Sequence, residues 1–335
     1  MNNFKKIGLS ALAGSLAMTS ANAFDYGVTG GATMTYTTID APASAESLNG
    51  KGIGLATDLS LAGSGELDNG YTVDWFMAID TDGALSNTSG TLALGMGSMG
   101  TLQWNNKFGA KANGIDDVMP AAYNETWDGL ALATDNPSFF GSATTNGSLD
   151  YRAPALEMSG VTANLAVTVD FSANEGPASK GGVGVTSVPG NAVVLELSHE
   201  SGLSIGAGQE SVDDGDTAGA DEESVTAYAK LAMGPITIGV QEAYQNTGNG
   251  AQDLEATFMG IAYSAGDFSV SYGESMYKNH GITTTASVER EHESVQAAYT
   301  MGAMTISAAI SETANAGGTA GNTYEENEIA VSFAF

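Results

Sequence analysis

The last seven residues, Ile329-Ala-Val-Ser-Phe-Ala-Phe335, alternate strictly between large apolar residues and small or polar ones. This pattern predicts a β-strand with one apolar face. A strand at a chain terminus exposes a row of backbone amides and carbonyls, and each of these groups is costly to leave unpaired in an apolar medium. Pairing with the first strand of the chain would close the sheet into a barrel that has no edge.

The first 23 residues have the pattern of a cleaved secretory signal peptide. Lys5 and Lys6 precede the apolar run from Ile7 to Met18, and Ala21-Asn22-Ala23 has the small residues of a cleavage site. Cleavage after Ala23 would leave residues 24–335 as one domain, a length that suits a single large barrel. A buried N-terminal helix is the alternative, and the lysine pair and the small tripeptide argue against it.

Composition excludes several classes of protein. No stretch after the signal approaches the roughly 18 to 20 consecutive apolar residues of a membrane-spanning helix. The chain has no cysteine, so disulfide bonds and thiolate catalysis are absent. The formal net charge is −29, and it becomes −31 when the two lysines of the signal are removed. This acidity argues against nucleic acid as a partner, while 42% hydrophobic residues in short alternating runs favour a folded sheet.

A strand pattern with alternately long and very short connections repeats from Phe24 onward. Sixteen strands can be counted, at 26–38, 53–61, 71–80, 91–96, 101–106, 147–156, 161–171, 192–200, 203–211, 225–233, 236–245, 256–264, 268–277, 294–301, 304–311 and 329–335. The pattern is typical of an all-β transmembrane antiparallel β-barrel, with short turns on the periplasmic side and long loops outside.

One connection is far longer than the others. Residues from Asn105 to about Asn146 show no alternation, and loops above roughly 12 to 15 residues are usually functional or disordered. Aromatic and aliphatic residues recur along this segment, so we expect it to be ordered against another surface.

Four features follow one another in a fixed order: Gly65-Glu-Leu-Asp-Asn-Gly70 before the third strand, the long third loop, the segment from Asn146 through Tyr151-Arg-Ala-Pro154 to Gly160, and the terminal Phe335. Together they resemble the general diffusion porins of Gram-negative outer membranes, most closely the alpha-proteobacterial, Rhodobacter-like type. The resemblance implies a homotrimer of 16-stranded barrels, each with its third loop folded inward to narrow the pore. It also implies that acidic residues of this loop face basic residues on the wall; the acids here are Asp116, Asp117, Glu125 and Asp128.

Strand parity predicts which charged side chains line the pore wall. The inward acids are Asp58, Asp74, Asp80, Asp150, Asp170 and Glu196, and the inward bases are Arg152 and Lys230. Porins of this type usually carry several wall arginines, whereas this chain has two arginines altogether, which favours a net-negative constriction. Any one carboxylate could simply solvate a wet wall. Together they would concentrate cations in the pore, so we predict a cation preference.

These features predict a passive, water-filled channel for small hydrophilic solutes and ions, set in outer-membrane lipid and lipopolysaccharide, with no required cofactor. The acidic loop with Asp213, Asp214 and Asp216 has the oxygen density of a Ca²⁺ site but lacks the spacing of a helix-loop-helix calcium motif. An enzyme is not expected, because the three histidines and many serines form no recognisable catalytic triad. The alternatives are a substrate-specific channel and a surface adhesin or structural β-barrel.

Overall fold

The computed structural model describes most of the chain after the predicted signal peptide. The described ranges are 25–81, 86–107, 109–128, 137–141, 147–170, 173–174, 182–183, 189–213, 221–246, 253–280 and 288–335. The predicted signal, residues 1–23, lies outside them. Within these ranges, no helix has the length and apolar character needed to cross a membrane.

Nearly all of the described secondary structure belongs to one antiparallel sheet. Its strands are β1 (Asp25–Asp40), β2 (Gly50–Glu66), β3 (Thr72–Asp80), β4 (Ser86–Gly95), β5 (Thr101–Lys107), β6 (Ser148–Arg152, continued as Leu156–Met158), β7 (Val161–Asp170), β8 (Gly190–His199), β9 (Leu203–Val212), β10 (Glu222–Met233), β11 (Ile236–Asn246), β12 (Leu254–Ala265), β13 (Phe268–Asn279), β14 (Arg290–Met301), β15 (Met304–Ala314) and β16 (Thr323–Ala334). Among the described residues, the helical elements are short 3₁₀ turns at Ala43–Leu48, Gly97–Met99, Ala112–Gly114 and Ala316–Gly318. A two-residue ladder joins Ala173–Asn174 to Gly182–Val183.

The sheet closes on itself through its first and last strands. Each strand pairs with its neighbours in the chain, and β1 pairs with both β2 and β16. At the seam, Gly30 N donates to Phe335 O at 2.7 Å and Phe335 N donates to Gly30 O at 2.9 Å. The predicted 16-stranded barrel and its closure by the terminal strand are therefore confirmed.

The two faces of the strands differ as the alternation predicts. On β14, Val295 and Tyr299 are exposed, whereas Ser294 and Gln296, on either side of Val295, are buried. The same sense holds for most of the barrel, so large apolar side chains point outward and small or polar ones inward, except where the wall contacts the third loop. This polarity is the one expected of a barrel with lipid outside and a wet interior.

Several strands extend further towards the long loops than the sequence predicted. β16 begins at Thr323 rather than 329, and β14 begins at Arg290 rather than 294, so Arg290 and His292 lie in a strand instead of a loop. The outward positions at these ends are acidic, for example Glu291 and Glu325. Hydrophobic alternation is lost there, although successive side chains still point alternately inward and outward. The strands predicted from hydrophobic alternation are therefore too short.

The described residues of the third loop, which connects β5 to β6, lie inside the barrel. Ile115 and Phe140 pack with wall residues of β8 and β10, including Val194 and Tyr228. Phe139, from the same loop, packs with wall residues of β11 to β13 in a second cluster. Two of the three apolar clusters among the described residues are thus contacts between loop and wall, and the predicted inward folding is confirmed.

Candidate functional site

The loop follows the inner wall from β8 to β16. Its backbone amides are bound by side chains on three strands of the wall: Val118 N by Gln241 of β11, Ala122 N by Ser271 of β13, and Tyr123 N by Gln296 of β14. Tyr123 Oη then donates to Glu328 of β16 at 2.7 Å. The loop therefore narrows the lumen from one side.

A patch of wall glycines makes room for the loop backbone. Gly239, Gly260 and Gly273 lie directly beside one another on β11, β12 and β13. A Cβ at Gly260 would lie 3.0 Å from Pro120 Cδ and 3.1 Å from Pro120 O, and one at Gly273 would overlap Thr126 Oγ1. Only residues without a side chain allow this close approach.

Two of the four predicted constriction acids turn into the loop. Asp117 accepts hydrogen bonds from Met119 N at 2.8 Å and from Trp127 Nε1 at 3.3 Å, and it is buried. Glu125 is also buried. Asp116 accepts from Ser138 Oγ at 3.1 Å, and Asp128 is half-buried. The structure brings all four acids into one cluster, with two of them largely withdrawn from solvent.

The burial of this cluster changes its ionisation. Burial, followed by the charges of Asp116 and Asp128, raises the pKa of Glu125 to about 9. Burial raises the pKa of Asp117 to about 6 against the opposing hydrogen bond from Met119 N. Burial also raises the pKa of Asp116 and of Asp128. The loop thus carries fewer charges near neutral pH than its sequence implies.

Two acids of the last strand join the site, and the sequence analysis missed both. Glu326 and Glu328 point inward from β16, and Glu328 also accepts from Thr37 Oγ1 at 3.0 Å. A cavity of about 30 Å³ separates this wall from the loop; it is lined by Asn124, Asp128, Gln296, Ala309, Ser311, Glu326 and Glu328. Parity with the outward Ile329 could have identified these acids, had the strand been extended to its true start.

The predicted wall base Arg152 lies on β6 and contacts the start of the loop. Its Nε donates to Asp150 Oδ2 at 2.8 Å, and its Nη2 donates to Gly109 O at 2.9 Å. Asp150 is fully buried and also accepts from Thr168 Oγ1 and Lys111 N. Arg152 and Asp150, both predicted as pore residues, therefore neutralise each other and anchor the loop.

Two other lumen bases are engaged on the same side of the barrel. Lys111 of the loop forms an ion pair with Glu196 of β8. Lys230 of β10 lies over the Tyr228 ring, 5.5 Å from its centroid. With Arg152 on β6, these three cations occupy the β6 to β10 side, whereas Arg290 points inward from β14, 4.8 Å from the centroid of the Tyr277 ring.

The predicted acids Asp58, Asp74 and Asp80 occupy the opposite side, on β2 and β3. The odd-numbered neighbours Leu55 and Trp75 are exposed on the outer face, so the even-numbered aspartates point inward. Asp58 and Asp80 are directly opposite each other in the ladder. Together with the two β16 glutamates, they make this side of the described lumen acidic. Asp170 of β7, also predicted inward, is buried.

The acidic loop predicted to bind Ca²⁺ is described only in part. Asp213 is exposed at the end of β9, while Asp214 and Asp216 lie outside the described residues. A different group of carboxylates with metal-ligand spacing, Glu274, Glu291 and Glu293, lies on β13 and β14. It belongs to an outward row of acids directly paired across five strands, which comprises Glu274, Glu293, Glu312, Glu325 and Asp40.

Comparison with known proteins identifies the fold. No protein-family model and no curated protein matches the sequence. Among solved structures, OmpF of Salmonella typhi in complex with daunomycin is similar at 12% identity, with a TM-score of 0.69 over 95% of this chain and 99% of that one. An anion-selective porin from Comamonas acidovorans gives 13% identity and a TM-score of 0.67 over 93% and 100%. OmpT of Vibrio cholerae, in a trimer form, is 10% identical, with a TM-score of 0.65 over 94% of this chain and 100% of that one. The chain therefore has the barrel fold of porins.

Proposed function

We propose that this protein is a general porin of a Gram-negative outer membrane, a passive water-filled channel for small hydrophilic solutes and ions. One observation carries the proposal: a closed 16-stranded barrel has its third loop bound to the inside of the wall. A barrel of 16 strands is too wide for its wall side chains to fill, so the loop limits a lumen that otherwise stays open. No chemical reaction is part of this function.

The pore favours cations under this proposal. The lumen bases Arg152 and Lys111 are each neutralised by a wall carboxylate. The acids of β2, β3 and β16 face the lumen as an excess of negative charge, and charges of one sign in a low-dielectric channel raise the local concentration of counter-ions. The similar Comamonas porin is anion-selective, so the preference belongs to these side chains and not to the fold.

The finer assignments rest on the sequence motifs. We infer an alpha-proteobacterial type, a homotrimer, export by a cleaved signal peptide, surroundings of outer-membrane lipid and lipopolysaccharide, and no role for nucleic acid. The similar OmpT structure is a trimer form, which supports the trimer. Chemical cross-linking of the purified protein in detergent tests it, with a three-subunit band expected and a single-subunit band contradicting it.

The function itself is tested by flux. Proteoliposomes that contain the folded protein should swell in iso-osmotic solutions of small sugars at rates that fall smoothly with solute size. Saturation of the rate with one sugar would indicate a substrate-specific channel instead, and no swelling from correctly folded protein would indicate an adhesin or structural barrel.

A further inference from the structure

Gln241 of β11 binds the main chain of the third loop at three atoms. Its Oε1 accepts from Val118 N at 3.0 Å, and its Nε2 donates to the carbonyl oxygens of Ile115 and Asp116 at 2.9 Å each. The side chain is 1% exposed. Because all three partners are backbone groups, these contacts are independent of the side chains that the loop carries.

Gln296 of β14 makes an equivalent attachment further along the loop. Its Oε1 accepts from Tyr123 N at 2.9 Å and from Asn124 N at 3.0 Å, and its Nε2 donates to Asn124 O at 2.8 Å. Between the two glutamines, Ser271 Oγ accepts from Ala122 N at 2.8 Å. The wall thus binds the backbone of loop residues 115–124 at both ends of this segment and at one point between them.

A wall hydroxyl fixes the orientation of the Gln241 amide. Thr226 Oγ1 donates to Glu242 O at 3.0 Å and accepts from Gln241 Nε2 at 2.9 Å. An amide has a donor end and an acceptor end, so this hydroxyl, whose proton is used by Glu242 O, selects the orientation in which the amide also matches the loop. The Gln241 attachment point is therefore pre-organised by the barrel. Gln296 Nε2 also donates to a wall hydroxyl, Ser294 Oγ, at 3.0 Å.

The loop acids take part in a different set of contacts. Asp117 is bonded by Met119 N and Trp127 Nε1, and Asp116 by Ser138 Oγ, all within the loop itself. These bonds shape the loop, whereas the glutamines attach it to the wall.

We propose that Gln241 and Gln296 are the positioning residues of the constriction. They hold the third loop through its main chain, which leaves its acidic side chains to set the charge of the pore. The proposal deepens the porin function and rests on it for its effect on conduction. It has one specific consequence: exchange of a loop acid for its amide should not release the loop from the wall, whereas loss of either wall glutamine should.

The absence of cysteine in the natural chain allows a direct test. Ile115→Cys introduces a single thiol at a position that is 0% exposed and adjoins the Gln241 attachment. Its rate of reaction with a small maleimide in folded, detergent-solubilised protein reports how often the loop leaves the wall. Added to this background, Gln241→Leu and Gln241→Glu should each raise the rate at least about tenfold, because several hydrogen bonds to the loop are lost. Gln296→Leu should act in the same direction.

A matched control lies on the same strand. Gln245 is also a buried inward glutamine of β11, but its Nε2 donates to Glu222 and Ser224 of the neighbouring strand. Gln245→Leu should leave the labelling rate within about twofold of the Ile115→Cys parent, since the hydrogen bonds that it removes join two strands of the wall and do not involve the loop. The loop variant Asp116→Asn, which keeps an oxygen to accept from Ser138 Oγ, should not raise it.

A rescue distinguishes positioning from general damage. The carboxyl introduced by Gln241→Glu regains one donor when protonated, so its labelling rate, normalised to that of the Ile115→Cys parent at each pH, should return towards the parent as pH falls. Heat-dependent mobility on a gel establishes that each barrel is folded, and if Gln241→Leu does not fold, the near-isosteric Gln241→Glu variant decides.

The proposal is overturned if the folded Gln241 and Gln296 variants label no faster than the Gln245→Leu control. This readout needs no conduction. A silent wild-type channel whose labelling depends on the two glutamines would reject the porin function alone, and a conducting channel with unchanged labelling would reject the positioning role alone.

Discussion

Tyr123 Oη donates a 2.7 Å hydrogen bond to Glu328, joining the middle of the third loop to the last strand of the barrel. This bond spans 205 positions of sequence and ends on a charged acceptor. Burial and the bond to Glu328 both raise the pKa of the Tyr123 phenol, so it stays protonated and remains a donor. The last strand therefore closes the barrel by pairing with β1, and it also holds the third loop inside the barrel.

Removing this donor should loosen the loop. Tyr123→Phe loses one hydrogen bond to a charged group, and we expect the free energy of unfolding in lipid vesicles, measured by urea titration, to fall by about 1.5 to 3 kcal/mol. Tyr36→Phe, on the outer face of β1, is the control and should change it by less than about 0.5 kcal/mol. Equal effects of the two changes would contradict the role of the bond.

The wall glycines offer a test of the docking surface. Gly260→Val places new atoms against Pro120, so the loop must shift. We expect the free energy of unfolding to fall by about 1 to 3 kcal/mol and the single-channel conductance to change. Gly52→Val is the control, because a Cβ there meets no atom within 4 Å. A wild-type conductance in the Gly260 variant would show that the loop does not rest on this patch.

The raised pKa values of the loop acids predict a pH-dependent selectivity. Asp117 ionises around pH 6 and Glu125 around pH 9, so the constriction gains negative charge as pH rises from 5 to 10. Reversal potentials in a KCl gradient should therefore shift towards stronger cation preference over this interval. The double variant Asp117→Asn with Glu125→Gln should reduce the shift, and a shift of wild-type size in that variant would exclude these two groups as its source.

The carboxyls of Asp117 and Glu125 also determine how pH changes the stability of the docked loop. Both carboxyls have higher pKa values in the docked loop than their ordinary values of 3.8 and 4.5. The docked loop therefore binds their protons more tightly than an undocked loop does. Docking should be strongest below about pH 4 and should weaken as pH rises towards 9. Labelling of the Ile115→Cys thiol, corrected for the ionisation of a free thiol, should accelerate over this range, and a corrected rate that falls would contradict the assignment.

Repulsion between the paired acids on the outer face should lower the free energy of unfolding, and this effect should depend on salt concentration. Glu312 lies directly between Glu293 and Glu325 in the ladder, and like charges in this position repel each other. Glu312→Gln should raise the free energy of unfolding by about 0.2 to 1 kcal/mol at low salt, and the gain should vanish near 1 M salt. Glu157→Gln on β6, opposite Thr162, is the control and should give no gain.

The strand pattern could be predicted because it is local. Alternation along segments such as Tyr71 to Asp80 reports the inner and outer faces directly, and all 16 strands follow from it. The ends of β14 and β16 escaped prediction because their outward residues are acidic, so the hydrophobic alternation stops before the strand does.

The site could be predicted only in part. The loop and its acids stand out as an interruption of the pattern, but its attachment points do not. Gln241, Gln296 and Glu328 become partners of the loop only through the path that it takes across the wall, and no periodicity encodes that path. Gly239, Gly260 and Gly273 likewise gain meaning only from the register that places them side by side.

The most direct test of the central claim is the current of the purified, folded protein in a planar bilayer under a salt gradient, for the wild type and for a variant that lacks residues 110–140. We expect stepwise ohmic openings, a reversal potential that favours cations, and a larger single-channel conductance after the deletion. Silence from folded wild-type protein would contradict the channel, and an unchanged conductance after the deletion would contradict a pore constricted by the third loop.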